Sequence, residues 1–157
     1  MPISVDGDGT ITGYTPNRPA FAAKVVNPAY GIPQQSFTIV PYETETLDTN
    51  NAYSTSNYRF TVPSGHAGQY LIGANIGIDD LNSGNYISFR IRVNGVVQLV
   101  ANEFNSNSDE ITSANLVNVF TLAVGDYVDC DVYTAVTSGG EGVAVNFSTF
   151  FGYKLNV

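Results

Sequence analysis

The clearest hydrophobic pattern in the chain is "YISFRIRV" at 86–93. Ile87, Phe89, Ile91 and Val93 fall on one face, and Tyr86, Ser88, Arg90 and Arg92 on the other. Side chains of a strand point alternately to its two sides, so this period of two predicts a half-buried β-strand. Asn94-Gly95 follows, a type I′ hairpin signal, and leads into "VVQLVAN" at 96–102. A two-residue loop sets Gln98 opposite Ile91 on the apolar face; a bulge in the second strand would relieve that conflict. "YVDCDVYTAV" at 127–136 alternates as well, with Val128, Cys130 and Val132 on one side and Tyr127, Asp129, Asp131 and Tyr133 on the other. Cys130 is therefore expected as a small buried hydrophobe.

No segment has a helical period. Short β-branched and aromatic runs between Gly, Asn, Ser and Pro clusters predict further strands at 20–26, 36–43, 57–62, 69–78, 115–124 and 143–155, with a loop between 43 and 57. Pro41 marks an edge or a bulge in the second of these, since it cannot donate to a ladder. Phe150 and Phe151 are consecutive in the last, so they point to opposite faces of one strand. The total, about eight to ten strands, is that of an all-β, two-sheet jelly-roll sandwich. Residues 1–19 end in "TPNRP", whose prolines predict an extended N-terminal arm, leaving 20–157 as the folded domain.

Composition narrows the function. A chain of 157 residues is most simply one domain and buries about 70% of the surface its unfolded form exposes. Only 13% of residues are charged, yet acidic residues outnumber Lys plus Arg by 14 to 6, for a net charge of −8. That disfavours nucleic-acid binding, and no apolar run approaches the ~20 residues of a membrane span. A single cysteine allows no internal disulfide, and the N-terminus lacks the basic and apolar regions of a secretory signal. Synthesis in a cytoplasm is expected.

Candidate chemistry is sparse. "DGDGTI" at 6–11 looks like part of a calcium-binding EF-hand loop. With Gly9 at loop position 6, Asp6 and Asp8 take positions 3 and 5, but position 12, which needs a bidentate Glu, is Thr15. Asp79-Asp80 with Asn82, and Asp126 near Asp129 and Asp131, are read as turn formers and solvated charges. His66 is the only histidine, Cys130 sits mid-strand, and "GGEG" at 139–142 precedes no helix, so no catalytic, metal or cofactor site is expected.

The segment 42–74 is more specific. Tyr42, five residues, Asp48, four residues, Tyr53, six residues, Phe60, then Pro63 and Gly68-Gln69-Tyr70 resembles the signature of the complement q-subcomponent globular-head family, a branch of the tumour-necrosis-factor-like jelly rolls. Tyr42 stands where that signature usually has Phe, and Ile72 where it has an aromatic. "LAVGDYV" at 122–128 is similar to the family's Gly-Asp turn, and "STFFGYKL" at 148–155 to its closing strand. The resemblance covers 20–155 and implies a ten-stranded jelly roll assembled as a compact trimer. Tyr70, Ile72, Phe150, Phe151 and Tyr153 are the expected trimer-interface residues, because aromatic rings provide large contact area.

The start of the chain, "VDGDGTITGY" at 5–14, resembles N-terminal segments of marine phage structural proteins. Together these likenesses imply a non-enzymatic virion protein: a trimeric capsid decoration protein whose partners are its own copies and other virion proteins. The alternatives are a receptor- or glycan-binding tip of a short tail appendage, with a host-surface glycan as partner, or a free-standing lectin-like head. Ile3, Val5, Asp6, Asp8 and Ile11 are the expected arm-attachment residues. They offer too little apolar surface to fold alone.

Overall fold

The computed structural model describes residues 4–5, 7–8, 11–12, 18–27, 31–79, 81, 83–106, 111–135, 142–143 and 147–155. Among them there is no helix. The strands are β1 (Ser4–Val5), β2 (Ile11–Thr12), β3 (Ala20–Lys24), β4 (Thr38–Ile39), β5 (Thr44–Asp48), β6 (Tyr53–Ser54), β7 (Arg59–Thr61), β8 (Gly68–Asp79), β9 (Tyr86–Val93), β10 (Val96–Phe104), β11 (Thr112–Leu122), β12 (Tyr127–Thr134), β13 (Gly142–Val143) and β14 (Thr149–Lys154).

Twelve of them form two antiparallel sheets packed face to face. One runs β10-β9-β12-β7-β6, with β4 also on β12; the other runs β11-β8-β14-β3-β5, with β13 on β8. Ten strands lie on these two paths, as in a jelly roll. β1 and β2 pair only with each other among the described residues.

Hairpin chemistry behaves as the sequence predicts. Asn94 and Gly95 both have positive φ, 51° and 77°, as a type I′ turn requires. The β9–β10 register shifts between Val97 and Leu99, so that Leu99, and not Gln98, faces Ile91. The extra residue is a bulge that turns Gln98 out of the core, where it is exposed.

Other boundaries differ. Of the strand expected over 36–43, only Thr38–Ile39 is paired; Pro41 has no N–H to continue the ladder. Residues 44–48, expected as loop, form the edge strand β5, whose polar sequence suits a strand open to water on one side. The single strand expected over 143–155 is two pieces, β13 and β14. Within the N-terminal segment the polar turn lies between two short extended pieces, which pair with Ser4 opposite Thr12 and Val5 opposite Ile11. The two residues before β3 are tied to the sheets as well. The Arg18 carbonyl accepts from Thr49 Oγ1 (2.9 Å) and the Pro19 carbonyl from the Lys154 amide (2.9 Å).

The signature residues build the core. Tyr42, Tyr53, Phe60 and Tyr70 are buried together with Phe21 and Phe150. Phe21 stacks on Phe60 at 4.6 Å and on Tyr53 at 5.4 Å, and meets Phe150 edge-on at 4.8 Å. Each buried phenol reaches a carbonyl: Tyr42 donates to Asn75 (3.0 Å), Tyr53 to Tyr42 (2.9 Å) and Tyr70 to His66 (2.7 Å). Satisfying the polar end is what makes a tyrosine tolerable in a core. Asp48 ties the β5–β6 turn by accepting from the amides of Asn50 (3.1 Å) and Tyr53 (2.8 Å). The spacing of the signature is therefore the spacing of one aromatic cluster and the turn that orders it.

Candidate functional site

The two sheets present very different outward faces. On the β11-β8-β14-β3-β5 sheet the cross-strand register lines up whole rows. Val119, Leu71, Tyr153 and Ala20 form one row, and Val117, Gly73, Phe151, Ala22 and Leu47 the next. Asn115, Asn75, Thr149, Lys24 and Thr44 form a third, polar row. Two adjacent apolar rows thus cross the sheet, and five of their side chains are open: Val117 (61% exposed), Val119, Phe151, Tyr153 and Leu47. The Phe151 ring lies over Gly73, where a Cβ would collide with it. A ring that covers a cross-strand glycine fills the space its missing side chain leaves and helps to pin the register. In the polar row Asn75 Nδ2 donates to the Phe147 carbonyl (2.5 Å), while Asn75 Oδ1 accepts from the Thr149 amide (3.1 Å) and hydroxyl.

The β10-β9-β12-β7-β6 sheet faces outward with ion pairs. The β9–β12 register sets Arg90 opposite Asp131 and Arg92 opposite Asp129. Arg90 binds Asp131 through both Nε (2.7 Å) and Nη2 (2.5 Å). Arg92 reaches Asp129 (2.8 Å) and Asp131 (3.1 Å), and Arg59 approaches Asp129 at 3.5 Å. Both carboxylates are buried, so these partners are what makes their charge tolerable. Burial by itself would lower the Arg92 pKa, but the hydrogen bond and charge of Asp129, with Asp131 behind it, raise it above the ordinary arginine value. Two guanidiniums also cap rings: Arg59 sits 4.0 Å above Tyr127 and Arg90 3.2 Å above Phe37. The reading of Asp129 and Asp131 as solvated charges is thereby corrected. Alternation already put the arginines on one face of β9 and the aspartates on one face of β12. What the sequence did not show is that these two strands, far apart in the chain, are neighbours.

The expected trimer-interface residues divide. Phe151 and Tyr153 are exposed on the apolar rows. Tyr70, Ile72 and Phe150 are fully buried inside the single chain, so they have no surface to offer a neighbour and are corrected to core. Strand alternation explains the division, because residues 70, 72 and 150 point between the sheets while 151 and 153 point away. Leu47, Val117 and Val119 belong to the same face but were missed. Two of them sit on β11, whose placement beside β8 is again a long-range pairing. Of the arm residues, Val5 and Ile11 are opposite each other in register and Asp8 is exposed in the turn between them. Ile3 and Asp6 lie outside the described residues.

Cys130 is fully buried. Burial, and then the charges of Asp129 and Asp131, push its thiol pKa well above the usual value, so it is a protonated core side chain and no nucleophile. Among the described residues no group of three or more His, Cys, Asp or Glu side chains is placed to hold a metal ion.

A scan against protein-family models finds no match, and a search of curated proteins finds none either. Solved structures do match in fold. The globular domain of zebrafish complement 1qA protein superposes with a TM-score of 0.65 at 20% identity, over 88% of this chain and 98% of that one. Murine APRIL at pH 5.0 gives a TM-score of 0.61 at 15% identity, over 88% and 99%, and at pH 8.0 it gives 0.59 at 14%. The chain has the jelly-roll fold of complement q heads and tumour-necrosis-factor-like ligands.

Proposed function

We propose that this protein is a non-enzymatic binding head that assembles as a homotrimer through the outward face of the β11-β8-β14-β3-β5 sheet. The observation that carries this is the pair of apolar rows that cross four strands or more of that face without an ion pair among their described residues. A contiguous apolar patch built of register-aligned rows marks a face that another molecule covers. Its register-aligned rows form a shallow surface that a second copy can match. The fold supports the same assembly, since heads of this type commonly trimerise. Light scattering at micromolar concentration tests it: the expected mass is three times that of the 16.8 kDa chain. A single-chain mass overturns it.

Within that reading, the head is a capsid decoration protein attached to its particle by residues 1–19. This role rests on the sequence of the N-terminal segment, and the complement and cytokine neighbours do not bear on it. Support comes from the β1–β2 turn, which pairs with neither large sheet among the described residues and so leaves its strand edges for a partner. Deleting residues 1–17 should leave a folded head of unchanged assembly and abolish binding to particles. Wild-type occupancy by the truncated protein would place attachment on the jelly roll.

A further inference from the structure

A line of aromatic rings crosses the outward face of the ion-paired sheet. Phe104 and Tyr86 face each other across β10 and β9 with ring centroids 5.4 Å apart. Tyr86 is 5.9 Å from Tyr133 on β12, and Tyr133 is 5.2 Å from Phe37. The two ends of the line are the most open, Phe104 at 73% and Phe37 at 45% exposure. Phe37 is pinned by the Arg90 guanidinium 3.2 Å above its ring, and Arg90 is in turn held by Asp131. Beside the rings, exposed Asn102 stands opposite Ser88 and Ser88 opposite Tyr133, so an amide flanks the line.

We propose that this aromatic line is a binding site for a neutral glycan. Sugar rings would lay their C–H faces on Phe104, Tyr86, Tyr133 and Phe37 and turn hydroxyls toward the Asn102 amide and the edge of Arg90. The charges of the face and of the whole chain select this occupant. Arg90 and Arg92 already spend their charge on Asp131 and Asp129, and the chain as a whole carries −8. A nucleic acid or an anionic lipid surface is therefore repelled. A cationic ligand finds both carboxylates buried and occupied. A broad protein partner would strip the remaining water from the partly exposed guanidiniums of the Arg–Asp ladder beside the rings. A narrow sugar chain can follow the rings and leave that ladder hydrated. The rings hold one another in place, so little freedom is lost on binding. The site rests on the proposed trimer in one respect: with the apolar sheet covered by copies, this sheet is the one left facing solvent.

The test uses the full chain and three probes, cellohexaose, chitohexaose and a mannan hexasaccharide, titrated by calorimetry. At least one should bind. Phe104→Ala and Tyr133→Ala should each weaken that binding about tenfold, or ~1.4 kcal/mol, while Asn57→Ala, in an exposed turn, leaves it unchanged. Phe104 is largely exposed, so its variant keeps the fold. Failure to bind any probe, or binding untouched by both aromatic variants, overturns the proposal and leaves the face to a protein partner. Preferential binding of a polyuronate hexasaccharide overturns its neutral character. Light scattering on the same samples separates the two readings. A trimer that binds no sugar removes this site alone, and a monomer that binds sugar removes the assembly alone.

Discussion

Two residues in the core have no room to change, and each for a different reason. A Cβ on Gly152 would run into the Ile72 and Phe21 side chains and come within 3.2 Å of the Leu71 carbonyl. The closing-strand glycine is thus required by packing, with β8 behind it and Phe21 above it. Gly152→Ala should cost about 1–3 kcal/mol through overpacking, read as a lower denaturant midpoint with unchanged slope. Tyr70 fills space from the other direction. Its ring is fully buried against Phe60 at 5.5 Å, and burial pushes its phenol pKa up to about 12. Tyr70→Ala should remove about 3–5 kcal/mol of protomer stability and also orphan the His66 carbonyl. Since Tyr70 lies inside the chain, the loss should appear as unfolding at any protein concentration. Separation into folded monomers would show instead that the ring reaches a neighbour.

At the scale of elements, the tip of the β9–β10 hairpin is tied to the turn that carries the chain from β11 in one sheet to β12 in the other. Asn94 donates through Nδ2 to Asp126 Oδ1 (2.8 Å) and accepts through Oδ1 from the Tyr127 amide (3.0 Å); its own amide donates to the Tyr127 carbonyl (2.9 Å). Asp126 Oδ2 also accepts from the Ala123 amide (2.8 Å). The hydrogen bond from Asn94, then that from Ala123, holds the Asp126 carboxyl below its ordinary value. A depressed carboxyl contributes stability that is fully present above the unfolded-state pKa and is lost as pH falls through the folded value. Wild type should therefore lose stability faster than Asp126→Asn on titration below the ordinary aspartate range, and the two should run parallel above it. Equal acid limbs in thermal melts would show that the tie has no energetic weight. This tie was half legible in the sequence. Asn94-Gly95 and Gly125-Asp126 each announce a turn, and even the Gln98 bulge follows from the conflict between loop length and alternation. Local rules of this kind marked most of the strands and their turns, and the buried face of the 127–136 strand with Cys130 on it. They were silent wherever meaning depends on which strand lies beside which. The Arg–Asp ladder, the polar edge strand β5 and the membership of Val117 and Val119 in the apolar face all depend on long-range pairing. The division of Phe150 from Phe151 was readable from alternation alone. Assigning Tyr70 and Ile72 to a subunit contact overrode that same alternation.

For the whole molecule, the proposed assembly would link stability to protein concentration. Burying the apolar rows of the β11-β8-β14-β3-β5 sheet against copies removes Val117, Val119, Phe151, Tyr153 and Leu47 from water, at about 25 cal/mol per Å² of apolar surface. The free energy released depends on how many chains are assembled, so the melting temperature of wild type should rise with protein concentration. Val117→Asp puts a charge at the most exposed point of those rows, where it points to water in the single chain and is buried only on association. The variant should fold, because the change touches no core position, but it should sediment as one chain and melt at a temperature independent of concentration. A charge in a closed apolar contact costs far more than it does in water, so partial assembly at micromolar concentration is not expected. Phe151→Asp, one strand away from the Gly73 position, should act in the same direction. If both variants sediment with wild type and keep its concentration dependence, the apolar rows are not the contact. The subunits would then meet elsewhere, and contact through the ion-paired sheet would be read as loss of sugar binding on assembly, because the aromatic line lies on that face.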